Sequence, residues 1–195
     1  MFSSIRLPGL RSVCWMAALA AGLSVSARAQ SAHTATRSSH AIWVGGEYSN
    51  VSAGFPHGSG QRLWGAGGFV DCHLTSHIGV EVEERFLRFN GFHGETEDNY
   101  LAGPRYMARD FGKFQPFAQF LVGEGEIRYP YPIGSGEYFA ISPGAGANYR
   151  LANRWVLRAE YEDQIWHGSP NIVNVPAHRI TPQGFHVGVA YRIFR

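Results

Sequence analysis

Eight runs of strand character, joined by connections that alternate long and short, constrain this chain more than any other feature. The runs fall at about 40–50, 61–74, 77–89, 97–109, 113–126, 137–150, 154–166 and 178–194. "LTSH" (Leu74 to His77), "DFGK" (Asp110 to Lys113) and "LANR" (Leu151 to Arg154) are tight turns. "VSAGFPHGSG", "NGFHGETE", "YPYPIGSG" and "HGSPNIVNVPA" are longer, loop-like connections. A meander that places all its short turns at one end has two unlike ends. That is the pattern of a barrel that crosses a membrane, with short turns on one side and longer loops on the other. No helical periodicity competes with the strand runs.

The N-terminus supplies a compartment. Arg6 and Arg11 form a basic region, "SVCWMAALAAGLSVS" (Ser12 to Ser26) an apolar one, and "ARA" (Ala27 to Ala29) a small-residue cleavage site. The apolar stretch is shorter than the roughly 20 residues of a spanning helix. Residues 1–29 are therefore read as a cleavable signal peptide. No leucine-led lipobox precedes Cys14, so a lipoprotein is not expected. Residues 30–39, "QSAHTATRSS", are small and polar and read as a flexible leader, and residues 40–195 as one β-barrel domain.

Cleavage removes Arg6, Arg11 and Arg28 from 17 basic residues, leaving 14 against 15 acidic ones. With no basic stripe either, no nucleic-acid partner is expected. Cys72 is then the lone cysteine, so an exported domain of this size has no internal disulfide. No apolar stretch of 18 residues follows the leader. A mature chain that enters a membrane must therefore do so as a closed barrel, because only closure pairs every backbone polar group without a helix.

Side chains alternate across a strand, and the two faces of these runs differ. Trp155, Leu157, Ala159 and Tyr161 oppose Arg154, Val156, Arg158, Glu160 and Glu162. Ile78, Val80 and Val82 oppose Gly79, Glu81, Glu83 and Arg85. Pro116, Ala118, Phe120 and Val122 oppose Gln115, Phe117, Gln119 and Leu121. A soluble lipocalin-like barrel would turn the apolar face inward around a greasy ligand. A membrane barrel would turn it outward to lipid. Aromatics near strand ends (Trp43, Trp64, Phe86, Tyr149, Trp155, Tyr161, Trp166) favour the membrane solution, as rings placed at the headgroup level. Small residues on the charged face, Gly65, Gly67, Gly79, Gly144, Gly146 and Gly188, suit a narrow filled lumen. Strict alternation places Glu84 on the lipid side, which predicts either a bulge there or a position near the rim.

The last strand, "HVGVAYRI" followed by Phe194, resembles the C-terminal signal that outer-membrane barrels present to their assembly machinery. His186, Gly188, Tyr191 and Ile193 occupy its positions, and Phe194 supplies an aromatic one residue before the terminal Arg195. "GVEVEERFLRF" (Gly79 to Phe89) and "NYLAGPRYMAR" (Asn99 to Arg109) resemble the third and fourth strands of the small OmpA-like and OmpX-like transmembrane domains. The resemblance covers nearly the whole chain beyond residue 40. It implies an all-β fold, an eight-stranded antiparallel up-and-down transmembrane β-barrel following a cleavable signal peptide, in the bacterial outer membrane. It also implies outer-membrane lipid, lipopolysaccharide and the barrel-assembly machinery as partners. The soluble peptidoglycan-binding domain of full OmpA-type proteins is not expected after residue 195.

Inside such a barrel the candidates are Glu47, Asp71, His73, Glu81, Glu83, Arg85, Arg105, Gln115, Gln119, Arg158, Glu160 and Glu162. An eight-stranded lumen is just wide enough for side chains to fill it, and buried charges must pair. Arg85, Arg105 and Arg158 are therefore expected to pair with Glu81, Glu83, Glu160 and Glu162 in a plug of ion pairs, the alternative being a narrow conduction path. "WHGSPN" (Trp166 to Asn171) resembles the lipid A deacylases in placing a His two residues before a Ser. His167 and Ser169 are the base and nucleophile candidates for such chemistry. The family's His-x-Ser-Asn is absent, because Pro170 follows Ser169, and no acid occurs after Asp163. The stretch reads as a loop, and no enzymatic activity is expected. His57, His93, His167 and His178 lie on or beside long loops without ligand spacing, so no metal and no cofactor are expected. The aromatic, Pro- and Gly-bearing loops are the candidate contacts for an extracellular ligand.

Overall fold

The computed structural model describes residues 41–53, 62–90, 94–128, 135–168 and 180–194. Among them there is no helix. The strands are β1 (Ala41–Ser52), β2 (Arg62–His73), β3 (Ile78–Asn90), β4 (Thr96–Met107) and β5 (Phe114–Arg128). They continue with β6 (Ser135–Ala152), β7 (Trp155–Asp163), β8 (Ile165–His167) and β9 (Gln183–Phe194). β7 and β8 are one stave of the wall, interrupted at Gln164, and both pair with β6. The result is eight antiparallel staves, each beside its sequence neighbour, closed where β9 pairs with β1. Closure leaves no sheet edge, as a lipid environment requires.

Following paired residues from Leu157 through Val189, Gly46, Gly68, Glu84, Tyr100, Glu124 and Phe139 leads to His167 on the starting stave. The walk advances from position 157 to 167, a shear of ten residues. With a rise of about 3.3 Å per residue and about 4.8 Å between strands, that shear tilts the staves by roughly 40°. The tilt carries residues distant in sequence to the same level of the lumen.

The tight turns are built locally. Between β2 and β3 the Thr75 hydroxyl accepts the amides of His77 (3.1 Å) and Ile78 (2.9 Å). Between β4 and β5, Phe111 and Phe114 exchange backbone hydrogen bonds of 2.7 and 3.2 Å across Gly112 and Lys113. Gly112 has φ of 67°, a left-handed conformation that strains any residue with a Cβ.

The faces follow the sequence reading. Glu81, Glu83, Arg85, Arg158, Glu160 and Glu162 are buried in the lumen. Val44, Val70, Val80, Val122, Leu157, Val187 and Val189 are exposed on the outer wall. Aromatics flank this apolar band. Tyr106, Phe114, Tyr149, Trp155 and Tyr191 lie toward the short turns, with Trp155 and Tyr191 4.9 Å apart. Tyr48 and Trp64 (6.4 Å), Phe86 and Tyr100 (6.1 Å), and Tyr161 and Phe185 (4.8 Å) pair toward the long connections.

Two tryptophans expected in these belts point inward. Trp43 shares the parity of Glu47 and packs against the lumenal cluster of Phe69, Val156 and Ala190. Trp166 shares the parity of Glu162 and is fully buried. Period-two alternation, which continues across the break at Gln164, overrides the position of a ring near a strand end. Of the two alternatives expected at Glu84, a bulge or a position near the rim, the bulge is absent at that residue. Alternation is unbroken from Glu81 to Leu87, and the extra residue of β3 is Arg88, where the pairing steps from Trp64–Phe89 to Gly65–Leu87. Glu84 is half-buried on the outer wall directly beside Tyr100, so it borders the aromatic belt of the long-loop end.

Candidate functional site: the charged lumen

The lumen is layered. Toward the long connections it holds Leu101, Leu121, Ile127, Tyr138, Ala140, Trp166 and Ile180, with a second apolar group of Val51, Ala53, Leu63 and Leu87. Toward the short turns lie Phe69, Val156, Ala190 and Trp43. Between these apolar caps sits an ionic layer. Sandwiching charges between water-excluding groups lowers the local dielectric and strengthens each attraction.

Glycines make the room. A Cβ on Gly146 would meet the Cβ of Glu160 at 2.6 Å, and one on Gly188 would meet the Cβ of Glu47 at 3.0 Å. Glu160 and Glu47 thus each enter the lumen beside a bare position on the neighbouring stave.

Three guanidinium groups organise the layer. Arg158 takes Glu81 in a two-pronged grip, Nη1 donating at 2.7 Å and Nη2 at 2.5 Å, while Nε donates to Glu160 at 2.6 Å. Its Nη2 also reaches the Gln119 side-chain oxygen at 2.9 Å, and its guanidinium lies 4.3 Å from the Phe69 ring centre. Such bidentate, charge-assisted contacts are the strong ones. Arg85 donates to Glu162 at 2.9 Å, contacts Glu83, and holds Glu47 at 3.0 Å. Arg105 pairs with Glu81 and, at 3.1 Å, with Asp71, its guanidinium 3.6 Å from the Phe117 ring centre. Gln119 bridges Glu160 (3.2 Å) and Glu162 (3.1 Å).

The network reaches further than the charge pattern indicated. Gln164 donates to Glu162 at 3.0 Å and accepts from Trp166 Nε1 at 2.7 Å. Asn99 donates to the buried Glu97 at 2.8 Å. His186 lies in the lumen, its Nδ1 2.8 Å from Ser49 Oγ and its Nε2 3.8 Å from Glu162. Glu97, Asn99, Ser49 and Gln164 share the parity of residues already assigned inward, which is the signal that finds them. At the mouth beside the short turns His73 contacts Asp71 at 3.1 Å, and Gln115 reaches the Ala108 carbonyl at 3.5 Å. Lys113, Arg150 and Arg192 line the same opening, leaving it basic.

The last strand divides its residues between two roles. His186 and Gly188 face the lumen, whereas Tyr191 packs on Trp155 outside. A register shift against β1 then pairs Phe194 with Ile42 after Arg192 pairs with Trp43, so Ile193 and Phe194 are both exposed. Of the deacylase-like pair, His167 is exposed and pairs with Phe139 of the outer wall. Ser169 lies outside the described residues, as do His57, His93 and His178.

A charged lumen inside an apolar, belted wall is the inverse of a soluble lipid carrier. The family model of the outer membrane protein beta-barrel domain matches residues 16–192. The chain belongs to the outer membrane protein beta-barrel domain family. It is an integral protein of the outer membrane, and its apolar wall faces membrane lipid. The basic mouth lies at the end of the barrel that carries the short turns.

Solved barrels of the outer membrane share the fold at low identity. Neisserial surface protein A is 11% identical with a TM-score of 0.58, covering 77% of this chain and 96% of its own. The N-terminal β-barrel domain of OprF from Pseudomonas aeruginosa is 12% identical with a TM-score of 0.53, covering 79% and 98%. OprG from the same organism is 10% identical with a TM-score of 0.51, covering 80% and 97%. No curated protein sequence matches the chain.

Proposed function

We propose that this outer-membrane barrel is a non-conducting, non-enzymatic protein with a plugged interior, which serves envelope integrity or surface interaction through its long external connections. The observation that carries this reading is the ionic layer held between two apolar caps. A permeating ion would have to break the Arg158–Glu81–Arg105 and Arg85–Glu162 contacts together, exposing several buried charges at once. Purified barrel in a planar lipid bilayer is expected to give no stable single-channel steps. Reproducible, voltage-stable openings would remove the plug.

The connections remain the candidate contact surface, because a rigid scaffold leaves variable function to its loops. Residues 54–61, 91–93, 129–134 and 169–179 of these connections lie outside the described residues. Replacing the long connections with two-residue turns is expected to leave folding and heat-modifiable gel migration intact. Cell-surface binding should fall to background. Unchanged binding by the loop-trimmed barrel would refute the surface role.

The partners on this reading are outer-membrane lipid and lipopolysaccharide around the wall and the barrel-assembly machinery during insertion. His186, Gly188, Tyr191, Ile193 and Phe194 form the assembly signal. The exposure of Ile193 and Phe194 beyond the register shift supports that role, since a recognised signal must be reachable from outside the closing barrel. We infer further that residues 1–29 are removed on export and that residues 30–39 are a leader to the barrel.

A further inference from the structure

The lumen carries more negative charge than its own cations balance. Among the described residues the buried carboxylates are Glu47, Asp71, Glu81, Glu83, Glu97, Asp98, Glu160 and Glu162. Asp98 has outward parity and meets Arg88 and Arg128 on the wall, which leaves seven inside. They face the three guanidinium groups of Arg85, Arg105 and Arg158. Counting His73 and His186 as cations still leaves two carboxylates over within the layer, since Lys113, Arg150 and Arg192 line only the opening beside the short turns.

The excess converges at one level. One carboxylate oxygen from each of Glu47, Glu83 and Glu160 lies within 4.8 Å of the other two. These side chains are at most 1% exposed, yet Glu47 Oε2 and Glu83 Oε2 have no hydrogen-bond partner. Arg85 engages the other oxygen of each, Glu47 Oε1 and Glu83 Oε1. A buried, unpartnered carboxylate oxygen calls for a compensating charge.

We infer that Glu47, Glu83 and Glu160 bind a divalent cation, with Ca2+ the preferred ion, as an integral part of the lumenal packing. Hard oxygen ligands select hard cations, and tolerance of geometry separates two of them. Ca2+ accepts about six to eight oxygens in a flexible arrangement, whereas Mg2+ demands a near-ideal octahedron and gives up its waters reluctantly, so three carboxylates from three separate staves suit Ca2+ better. One divalent ion supplies the two positive charges that the count leaves wanting. The three ligands come from β1, β3 and β7, so the ion ties together staves that do not touch one another along the wall. This site is independent of whether the barrel conducts.

The test exploits closure of the lumen during folding. The whole barrel is refolded into detergent micelles either with Ca2+ or with a chelator, dialysed against chelator, and assayed for retained calcium by atomic emission. The expected result is about one Ca2+ per barrel after refolding with Ca2+, together with a higher unfolding temperature than the chelator-refolded form. Glu83→Gln and Glu47→Gln should each reduce retained Ca2+ at least tenfold. Glu124→Gln on the outer wall should retain it. Gel migration reports which variants fold. Should a variant fail to fold, retention and the thermal shift of the parent barrel decide alone. Absence of retained Ca2+ in the parent, or equal retention by the folded Glu→Gln variants, would overturn the site and leave protonation as the way the carboxylates are neutralised.

Discussion

Replacing Arg158 with methionine is expected to destabilise the barrel by about 3–5 kcal/mol, the cost of breaking a buried ion pair by removing one partner. Methionine keeps most of the stem and its packing, so the loss isolates the guanidinium. Glu81 would lose both prongs of its grip and Glu160 its 2.6 Å donor. The ring of Phe69 would lose the cation above it, while Phe117 would keep Arg105. The magnitude is dominated by two buried carboxylates left under-compensated, Glu81 with Arg105 alone and Glu160 with the Gln119 amide alone. Equilibrium urea unfolding of the barrel refolded in lipid vesicles, followed by tryptophan fluorescence, measures it. Arg150→Met is the comparison. Its 2.8 Å pair with Asp110 lies exposed, at 50% and 44% side-chain exposure, where ion pairs contribute about 0–1 kcal/mol. Equal, small losses for the two variants would show that the lumenal network is hydrated in solution.

Val187→Arg is expected to destabilise the folded, inserted barrel by about 2–4 kcal/mol, the effect of a cationic side chain near the midplane of the lipid-facing wall. Val187 is 49% exposed, halfway along β9, with Tyr48 and Ala159 as its cross-strand neighbours. No buried contact is disturbed, so any loss reports the surrounding solvent. The same substitution on a soluble barrel would fall within about 0.5 kcal/mol of neutral. Urea titration in vesicles, repeated in bilayers of different thickness, would read the effect. A neutral result would contradict a lipid environment for this wall.

The eight staves were legible because a barrel wall meets two different media, and period-two alternation writes that difference into every strand. Turn chemistry was legible too: Gly112 stands where the β4–β5 turn needs a left-handed residue. Parity taken consistently would also have placed Trp43 and Trp166 in the lumen. Their proximity to strand ends pointed the other way, and the sheet's pleat decided the matter. Glu84 shows the converse, since its outward parity was right and no bulge was needed to explain it.

Local pattern could not reveal which charges meet. Arg85 and Glu162, and Arg158 and Glu81, are each separated by 77 residues. They meet because a shear of ten residues lifts each stave relative to its neighbour until distant positions share one level. The sequence by itself determined the staves, their two faces and the unequal ends, because those depend only on near neighbours along the chain. Only closure into a ring decided that the charged face is the inner one, which acid opposes which guanidinium, and that Glu47, Glu83 and Glu160 converge. Those outcomes depend on the tilt and stagger of the whole wall, which no single strand encodes.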